Sequence, residues 1–411
     1  MRRNKNRPKA YYGLPETVEF CKKCVISNQR PSSTIEFKSS ASEIKSVINF
    51  SEGGVCSACA YHEEKELKID WEAREEELLK LLSCFRRTDG SYDVIVPGSG
   101  GKDSAYTAHM LKYKYNMNPL TVTWAPHLYT DIGWQNLQNW MHVGGLDNIL
   151  YTPNGILHRL MTKNAFHNLL HPFQPFIIGQ RIIGPAMAKR FGVQLVMYGE
   201  NQAEYGNAIE ENLNPLMKMD FFSTDSVKEM LFGGVPMLKY LEQGFTLGDF
   251  APYMAPNKDE LIKASVEVRY LGYYLKWDPQ ECYYYASENT GFEANILRTE
   301  GSYSKYSSID DKIDPFHYFT TLIKFGIGRA TYDAAQEVRN GKISREEAAY
   351  LVKKYDTEFP EKYFQEFLEY INTSQDEFWE TVNRHRSPHI WAEEDGIWKL
   401  RHTVSKDGNN D

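Results

Sequence analysis

Short apolar runs alternate with amphipathic stretches through the middle of this chain. Short, mainly apolar segments at 92–97, 120–124, 148–151 and 194–198 predict β-strands, of which the first is expected to be buried. Apolar residues at helical spacing predict helices at 69–85, 102–115, 132–142, 155–170 and 176–191. Strands that alternate with helices in this way are typical of βαβ units, so the pattern predicts an α/β fold with a doubly wound parallel sheet. Ligands of such sheets bind beyond the carboxyl ends of the strands.

The pattern changes after the fourth predicted strand. Between 205 and 300 it is less regular, and helical stretches are predicted at 225–232 and 258–276. From about 310 to 385 it is mostly helical, and capping boxes at Ser344–Glu347 and Ser374–Glu377 each predict the start of a helix. We therefore expect an N-terminal module at 1–68, the sheet domain at 69–300 and a mainly helical region at 301–411 that contributes to a substrate site.

Composition narrows the class of protein. The chain has 411 residues, of which 42% are hydrophobic and 25% charged, as in an ordinary globular protein. The net charge of −8 disfavours a nucleic-acid-coating protein, which usually has a basic surface. Apolar runs are shorter than the ~18 residues of a membrane helix, and no apolar segment follows the basic residues 1–5. These features predict a cytoplasmic protein whose thiols stay reduced.

Four of the six cysteines form two Cys-x-x-Cys pairs. Cys21 and Cys24 are separated by 31 residues from Cys56 and Cys59. Two such pairs can bring four thiolates to one tetrahedral ion, so the spacing predicts a structural Zn²⁺ site. Two disulfides or a redox pair are the alternative, which a reducing compartment disfavours. Cys84 and Cys282 stand alone, and a lone cysteine is usually a small buried hydrophobe.

The segment from Pro97 to Ser104 joins a predicted strand to a predicted helix and contains Ser99-Gly100-Gly101-Lys102-Asp103-Ser104. Glycines allow a sharp turn close to an anion, and the helix N-terminus offers free N–H groups, so this segment predicts a phosphate-binding loop. Lys102 adds positive charge, Ser99 and Ser104 add hydroxyl donors, and Asp103 can hold Mg²⁺ beside phosphate oxygens. Neither a Walker A loop nor a Rossmann fingerprint fits, because Asp103 replaces the hydroxyl residue or the glycine that each requires.

This loop resembles the PP-loop of the N-type ATP pyrophosphatases. The resemblance implies that the loop holds the pyrophosphate of ATP, that AMP passes to a carbonyl oxygen of the substrate, and that a nucleophile then displaces AMP. It also implies that Lys102 and Asp103 act in catalysis. The adenine is then expected near the end of the second strand, at Thr123 and Trp124.

A wider likeness covers about residues 18–400. The segments 21–27, 54–59, 95–104, 198–201 and 325–331 resemble the bacterial N-acetyl sugar amidotransferases of lipopolysaccharide O-antigen and of pseudaminic or legionaminic acid pathways. That resemblance implies conversion of a sugar N-acetyl group into an acetamidino group. It implies ammonia from a separate glutaminase with a barrel-type partner subunit, similar to the histidine-pathway pair, and nothing in this chain looks like a glutaminase.

Three further residues are candidates for the substrate site. Glu200 follows the fourth strand and is predicted to contact Mg²⁺ or to steer ammonia, although a solvated loop residue is equally consistent. Lys305 lies in the hydroxyl-rich segment 300–308, which suits a phosphate, carboxylate or sugar, or is a polar linker. Arg329 beside Gly328 suits an anion, or marks a helix junction. His127, just after the second strand, is more simply a structural residue than a catalytic one.

Two other functions remain open on the sequence alone. A tRNA-modifying PP-loop enzyme, either a thiolase or a lysidine-type ligase, would use the same adenylation but needs a basic surface and often a persulfide-bearing cysteine near ATP. A zinc-ribbon adaptor with an inactive nucleotide fold is disfavoured by the intact Lys102-Asp103-Ser104. The identity of the sugar is also open between a nucleotide-linked uronic acid and a nonulosonic acid, of which we favour the second.

Overall fold

A five-stranded parallel sheet forms the centre of the computed structural model, which describes residues 8–201, 204 and 214–405. The strand order is β3-β2-β1-β4-β7, and every neighbouring pair is parallel. The strands are β1 (Val94–Pro97), β2 (Pro119–Trp124), β3 (Asp147–Tyr151), β4 (Leu195–Tyr198) and β7 (Glu267–Tyr270). The predicted doubly wound α/β fold is therefore confirmed.

Helices cover both faces of the sheet, because alternate strand residues point to opposite sides. Val94 and Val96 of β1 pack with one group of helices, whereas Ile95 packs in the core on the other side. The helices before and within the sheet domain are α1 (Ser57–Leu67), α2 (Trp71–Phe85), α3 (Lys102–His109, continued by a π-turn at Met110–Lys114), α4 (Asp131–His142), α5 (Gly155–Leu169), α6 (Gln174–Phe191), α7 (Met237–Leu241), α8 (Lys258–Lys263) and α9 (Pro279–Thr290).

The strand order places a topological switch point between β1 and β4. From β1 the chain builds outward through β2 and β3, and it then returns to add β4 and β7 on the other side. A crevice opens at such a point beyond the carboxyl ends of the two strands. The predicted phosphate loop follows β1 and Glu200 follows β4, so both lie at this crevice.

The C-terminal region is helical, as predicted. It contains α10 (Asp314–Phe325), α11 (Arg329–Arg339), α12 (Arg345–Tyr355), α13 (Phe364–Ile371) and α14 (Gln375–His385), followed by the hairpin β8 (Trp391–Glu394) and β9 (Ile397–Leu400). Both predicted capping boxes are present, at the starts of α12 and α14. Within the described part of the chain, none of the helices has the length and apolarity needed to span a membrane. The basic residues 1–5 lie outside the described ranges.

Two predicted helices are wrong. The stretch at 225–232 contains a short 3-10 turn (Val227–Glu229) and then β5 (Leu231–Phe232), which pairs with β6 (Val235–Pro236) across two glycines with positive φ. The stretch at 258–276 is helical only in α8, because Ser265 takes a positive φ and β7 follows. The alternation of Glu267, Val268, Arg269 and Tyr270 has the strand period, and short amphipathic segments of this kind are ambiguous in sequence.

The boundaries at 68 and 300 remain predictions, since the N-terminal module packs on both other regions. His389 Nε2 and Gln29 Oε1 lie 3.0 Å apart, and the Tyr11 backbone N–H donates to Ser387 Oγ. On the side of the sheet domain, Gln174 Nε2 donates to the Glu36 carbonyl, at 2.7 Å.

Candidate active site

The phosphate loop turns directly from the end of β1 into the first residue of α3. Gly100 has φ of +81°, and a Cβ there would lie 2.9 Å from Leu137 Cα and 3.0 Å from the Asn136 carbonyl oxygen. At Gly98 a Cβ would lie 2.1 Å from Ser104 Cβ. The loop can therefore form only because these positions lack side chains.

Lys102 and Asp103 open helix α3 at this loop. Lys102 Nζ lies 2.6 Å from Asp103 Oδ2, and both residues line the same cavity. Burial lowers the pKa of Lys102, but the charges of Asp103 and Glu200 and the hydrogen bond to Asp103 together outweigh it, and the pKa lies above its usual value. Lys102 is therefore a permanent cation beside the free N–H groups of a helix N-terminus, which is the arrangement that binds polyphosphate.

A cavity of about 340 Å³ joins this loop to three other parts of the chain. Glu200, after β4, lines it together with Arg329, at the start of α11. The N-terminal module contributes Ile26, Arg30, Ile48 and Ala58, while α11 and the turn after it contribute Tyr332, Asp333, Gln336, Glu337, Arg339 and Lys342. The structure therefore brings four of the candidate site residues, Lys102, Asp103, Glu200 and Arg329, to one cavity.

Arg329 is held in a defined orientation. Its guanidinium lies 3.1 Å from Asp333 Oδ1, donates to the Tyr318 hydroxyl, and stacks over the Tyr318 ring at 4.4 Å from the ring centroid. It lines both the main cavity and a smaller one beside the phosphate loop. An orientated guanidinium at this place is suited to a carboxylate or a phosphate.

The smaller cavity, of about 190 Å³, adds a residue that the sequence analysis missed. Asp310 lines it with Ser99, Gly101 and Asp103, and its carboxylate bonds to the Ser99 hydroxyl. Burial raises the pKa of Asp310. Gly133 allows this close approach, because a Cβ there would lie 2.4 Å from Asp310 Cα. The contact joins segments far apart in the chain, so no local pattern could have indicated it.

Three predicted residues do not join the site. Lys305 is exposed and lines neither cavity, whereas its neighbours Ser304 and Tyr306 line the main one. Thr123 is buried and accepts from Asn148 Nδ2, at 2.9 Å. Trp124 is also buried, stacks on Tyr151 and packs against helix α6, so the tryptophan ring is part of the core and cannot stack on adenine where it lies.

Two further residues considered in the sequence occupy buried positions. His127 is enclosed among aromatic rings, with Nδ1 2.8 Å from Asp311 Oδ2, which fits the structural interpretation. Cys282 lies on α9, which packs on α3. Its thiol therefore interacts electrostatically with Lys102 and Asp103, although these residues are far away in the sequence. Burial raises the pKa of the Cys282 thiol, which disfavours the thiolate that sulfur chemistry needs. Cys84 is exposed on α2.

The four cysteines of the two pairs form a candidate metal centre. Cys21, Cys24, Cys56 and Cys59 are all buried, and their sulfur atoms lie within 4.8 Å of one another. The Sγ–Sγ distances are 3.9 Å for Cys21–Cys59 and 3.7 Å for Cys24–Cys56. A tetrahedral ion with metal–sulfur bonds of about 2.3 Å requires sulfur atoms about 3.8 Å apart, so this donor set fits one such ion. All four thiols are free, which excludes the disulfide alternative in this structure.

Hydrogen bonds connect the cysteine cluster to the helical region that lines the cavity. The backbone N–H groups of Lys23 and Cys56 donate to Cys21 Sγ, at 3.4 and 3.3 Å. Arg345, the first residue of α12, donates from Nε to the Cys24 carbonyl at 3.0 Å and from Nη2 to the Cys21 carbonyl at 3.2 Å. The centre therefore supports the module that forms one wall of the cavity.

Comparison with known proteins finds a family similar to the C-terminal region. Residues 300–404 match the family model described as LPS biosynthesis protein WbpG-like, C-terminal domain. This part of the chain is therefore similar to that domain. It includes Arg329 and the whole of α11, which form one wall of the cavity. The predicted resemblance to lipopolysaccharide biosynthesis proteins is confirmed for this region.

Other comparisons are weaker. An uncharacterized protein of Methanocaldococcus jannaschii, MJ1599, is 32% identical over 83 residues, which are 20% of this chain and 28% of that protein. The chain thus spans less than a third of the length of that curated relative.

Solved structures with a similar fold include NH3-dependent NAD synthetase from Campylobacter jejuni, which is 14% identical, with a TM-score of 0.26 over 48% of this chain and 72% of that one. U34-tRNA thiolase NcsA from Methanococcus maripaludis is 13% identical, with a TM-score of 0.30 over 79% of this chain and 87% of that one. Scores this low carry no argument about function.

Proposed function

We propose that this protein is an ATP-dependent sugar amidotransferase of bacterial surface-polysaccharide biosynthesis. It adenylates the acetamido oxygen of an N-acetylated sugar and replaces that oxygen with ammonia, which gives an acetamidino group, AMP and pyrophosphate. The observation that carries the proposal is one cavity that joins the phosphate loop at Lys102 to Arg329 in the WbpG-like domain. The phosphate loop, which is the proposed ATP site, and the region similar to lipopolysaccharide biosynthesis proteins therefore line the same cavity.

Each wall of the cavity has a place in this reaction. The N–H groups of the loop, with Ser99, Ser104 and Lys102, would bind the pyrophosphate and stabilise the charge that develops as it leaves. Asp103 is the residue to hold Mg²⁺, which supplies further neutralisation of phosphate charge. Arg329 would anchor a carboxylate of the sugar, such as that of a nonulosonic acid, and thereby place its acetamido group.

The adenylation step has a clear chemical purpose. The amide oxygen attacks the α-phosphorus of ATP, and pyrophosphate leaves with the electron pair of the broken P–O bond. An amide oxygen is a poor leaving group, whereas AMP is a good one. Glu200, whose Oε1 accepts from Gln336 Nε2 at 3.1 Å, lies at the cavity wall where it could steer ammonia.

The remaining components of the proposal lie outside this cavity. We infer that the cysteine cluster holds structural Zn²⁺, because four thiolates at tetrahedral spacing are its preferred donor set. Ammonia would come from a separate glutaminase with a barrel-type partner subunit. A tRNA-modifying function receives less support, because the one cysteine close to the loop, Cys282, is buried and its thiol pKa is raised.

A product assay tests the proposed function. The protein is incubated with ATP, Mg²⁺, ammonium chloride and a panel of N-acetylated bacterial sugars, and AMP release and sugar mass are followed together. Replacement of oxygen by NH lowers the mass by about one unit and adds a positive charge, because an amidine, like a guanidinium, stays protonated at neutral pH. AMP release with this change on one sugar supports the proposal. AMP release with tRNA and with none of the sugars contradicts it.

A further inference from the structure

Five carboxylates of the described residues line the main cavity, and they differ in what neutralises them. Four of them lie beside a cation or an amide donor. These are Asp103 with Lys102 (2.6 Å), Asp333 with Arg329 (3.1 Å), Asp278 with Lys342 (3.2 Å), and Glu200 with Gln336 (3.1 Å). Glu200 also lies in the field of Lys102. The fifth carboxylate is Glu337, and it accepts a hydrogen bond from a neutral hydroxyl, Tyr303 Oη, at 2.8 Å.

The surroundings of Glu337 make its carboxylate a stronger proton acceptor than an ordinary glutamate. Asp333 lies one turn earlier on α11, and Asp278 is the N-cap of α9, so two negative charges face it. Tyr303 and Tyr306 approach from the segment before α10, and Lys342 approaches from the turn after α11. Burial and then Asp333 and Asp278 raise the pKa of Glu337, against the opposing hydrogen bond of Tyr303 and the charge of Lys342.

The proposed reaction requires such an acceptor. When ammonia attacks the carbon that carries the AMP oxygen, its lone pair forms the new C–N bond, and the π electrons of the existing C=N bond move onto the amide nitrogen. The attacking nitrogen becomes a positively charged NH₃ group. One proton must leave this nitrogen so that its lone pair can re-form a C=N bond while the C–O bond breaks. AMP then departs with the electrons of the C–O bond. Without the proton transfer, ammonia itself would be the better leaving group and the reaction would reverse.

We propose that Glu337 accepts this proton and is therefore a catalytic residue for the amidation half of the reaction. The inference rests on the proposed function and assigns a role within it. Asp103 is paired with Lys102 at the phosphate loop, and Asp333 and Asp278 are each ion-paired, with Arg329 and Lys342. Glu337 and the loop residues Lys102 and Asp103 line the same cavity. The loop residues would serve the adenylation step, and Glu337 would serve the amidation step.

The position of Tyr303 explains the hydroxyl-rich segment 300–308 noticed in the sequence. Tyr303 donates to Glu337, and Ser302 donates to Asp333 Oδ2 at 2.5 Å. Both hydroxyls therefore bond to carboxylates of α11, and they orient this helix face toward the cavity.

The test measures the two half-reactions separately in the variant Glu337→Gln. The glutamine side chain has nearly the same shape as the glutamate that it replaces. Adenylation is measured as sugar-dependent exchange of labelled pyrophosphate into ATP, and amidation as acetamidino sugar formed at a fixed concentration of free NH₃. We expect exchange to stay within about threefold of the unchanged protein, while amidation falls about 10²–10⁴-fold, the usual contribution of a general base. Glu288→Gln, at an exposed carboxylate on α9 outside the cavity, is the matched control and should change neither rate.

A pH profile adds a readout that a purely structural role would not change. Amidation should fall at low pH as Glu337 becomes protonated, and Tyr303→Phe should move this fall to higher pH, because it removes a hydrogen bond that stabilises the carboxylate. Equal loss of exchange and amidation in Glu337→Gln, or no loss of either, would overturn the proposal. If the unchanged protein itself shows no sugar-dependent exchange, the proposed function has failed instead.

Discussion

Gly100→Ala should disable the phosphate loop while leaving the fold largely intact. The added Cβ meets backbone atoms of α4 at 2.9–3.1 Å, and backbone cannot rotate away as a side chain can. The φ of +81° is also unfavourable for alanine, by about 1–2 kcal/mol. The loop must therefore shift by several tenths of an ångström, and displacement of about 1 Å in a site that positions reacting groups can cost about 100-fold.

Gly90→Ala is the matched control for this prediction. Gly90 has nearly the same φ, +80°, but a Cβ there meets nothing within 4 Å. It therefore carries the backbone cost without the collision. We expect it to lower the melting temperature by no more than about 5 °C and to leave AMP formation unchanged.

The assays are ATP binding at equilibrium, AMP formation and thermal melting for both variants. Gly100→Ala should lower AMP formation at least about 30-fold, with weaker ATP binding, while its melting temperature falls only slightly below that of Gly90→Ala. Normal ATP binding and AMP formation in Gly100→Ala would show that the loop does not need its close contact with α4. The argument from the geometry of this loop would then be refuted.

Three other variants test separate parts of the structure. Lys102→Ala should abolish AMP formation with metal content unchanged by elemental analysis, and normal turnover would contradict the phosphate-loop assignment. Cys21→Ser should lose the bound metal and melt several degrees lower, whereas Cys84→Ser, at an exposed thiol away from the cluster, should retain the metal; equal metal content in both variants would contradict a tetrathiolate site. Burial raises the pKa of Asp356 to about 6, although it accepts from the Gly328 and Thr331 N–H groups. The folded protein then binds more protons than the unfolded chain between about pH 4 and 6, so this group makes the free energy of unfolding fall as pH rises, by up to about 3 kcal/mol. Asp356→Asn should flatten that dependence in urea titrations, and an unchanged slope would exclude this group as its source.

The sheet domain was predictable because its signals are local. Each strand from β1 to β4 lies in a short, mainly apolar segment, and each following helix has a clear period, so the elements and their parallel arrangement followed from the pattern. β7 was missed, because Glu267–Tyr270 alternates in polarity within a segment whose first residues are helical. An edge strand of four residues carries too weak a strand signal to be distinguished from the helical pattern that precedes it.

The residues of the candidate site also differ in whether a local sequence signal could identify them. Lys102, Asp103 and the four cysteines were identified from motifs, since a phosphate loop and a pair of Cys-x-x-Cys knuckles are each built from one or two short segments. Arg329 and Glu200 were candidates that the cavity then brought together. Thr123, Trp124 and Lys305 were not placed at the cavity, because position at a strand end or within a polar segment does not determine which way a side chain points.

The sequence by itself determined the fold class, the phosphate loop and the cysteine cluster, because each depends on residue types at short spacing. Only the tertiary structure decided which residues share the cavity. Asp310 reaches Ser99, and Glu337 lies beside Tyr303 and opposite Asp278, across separations of tens to hundreds of residues. Such contacts result from the return of the chain at the switch point and the packing of α11 across it. Burial and neighbouring charge, which set the proton affinity of each carboxylate, exist only once those elements have packed.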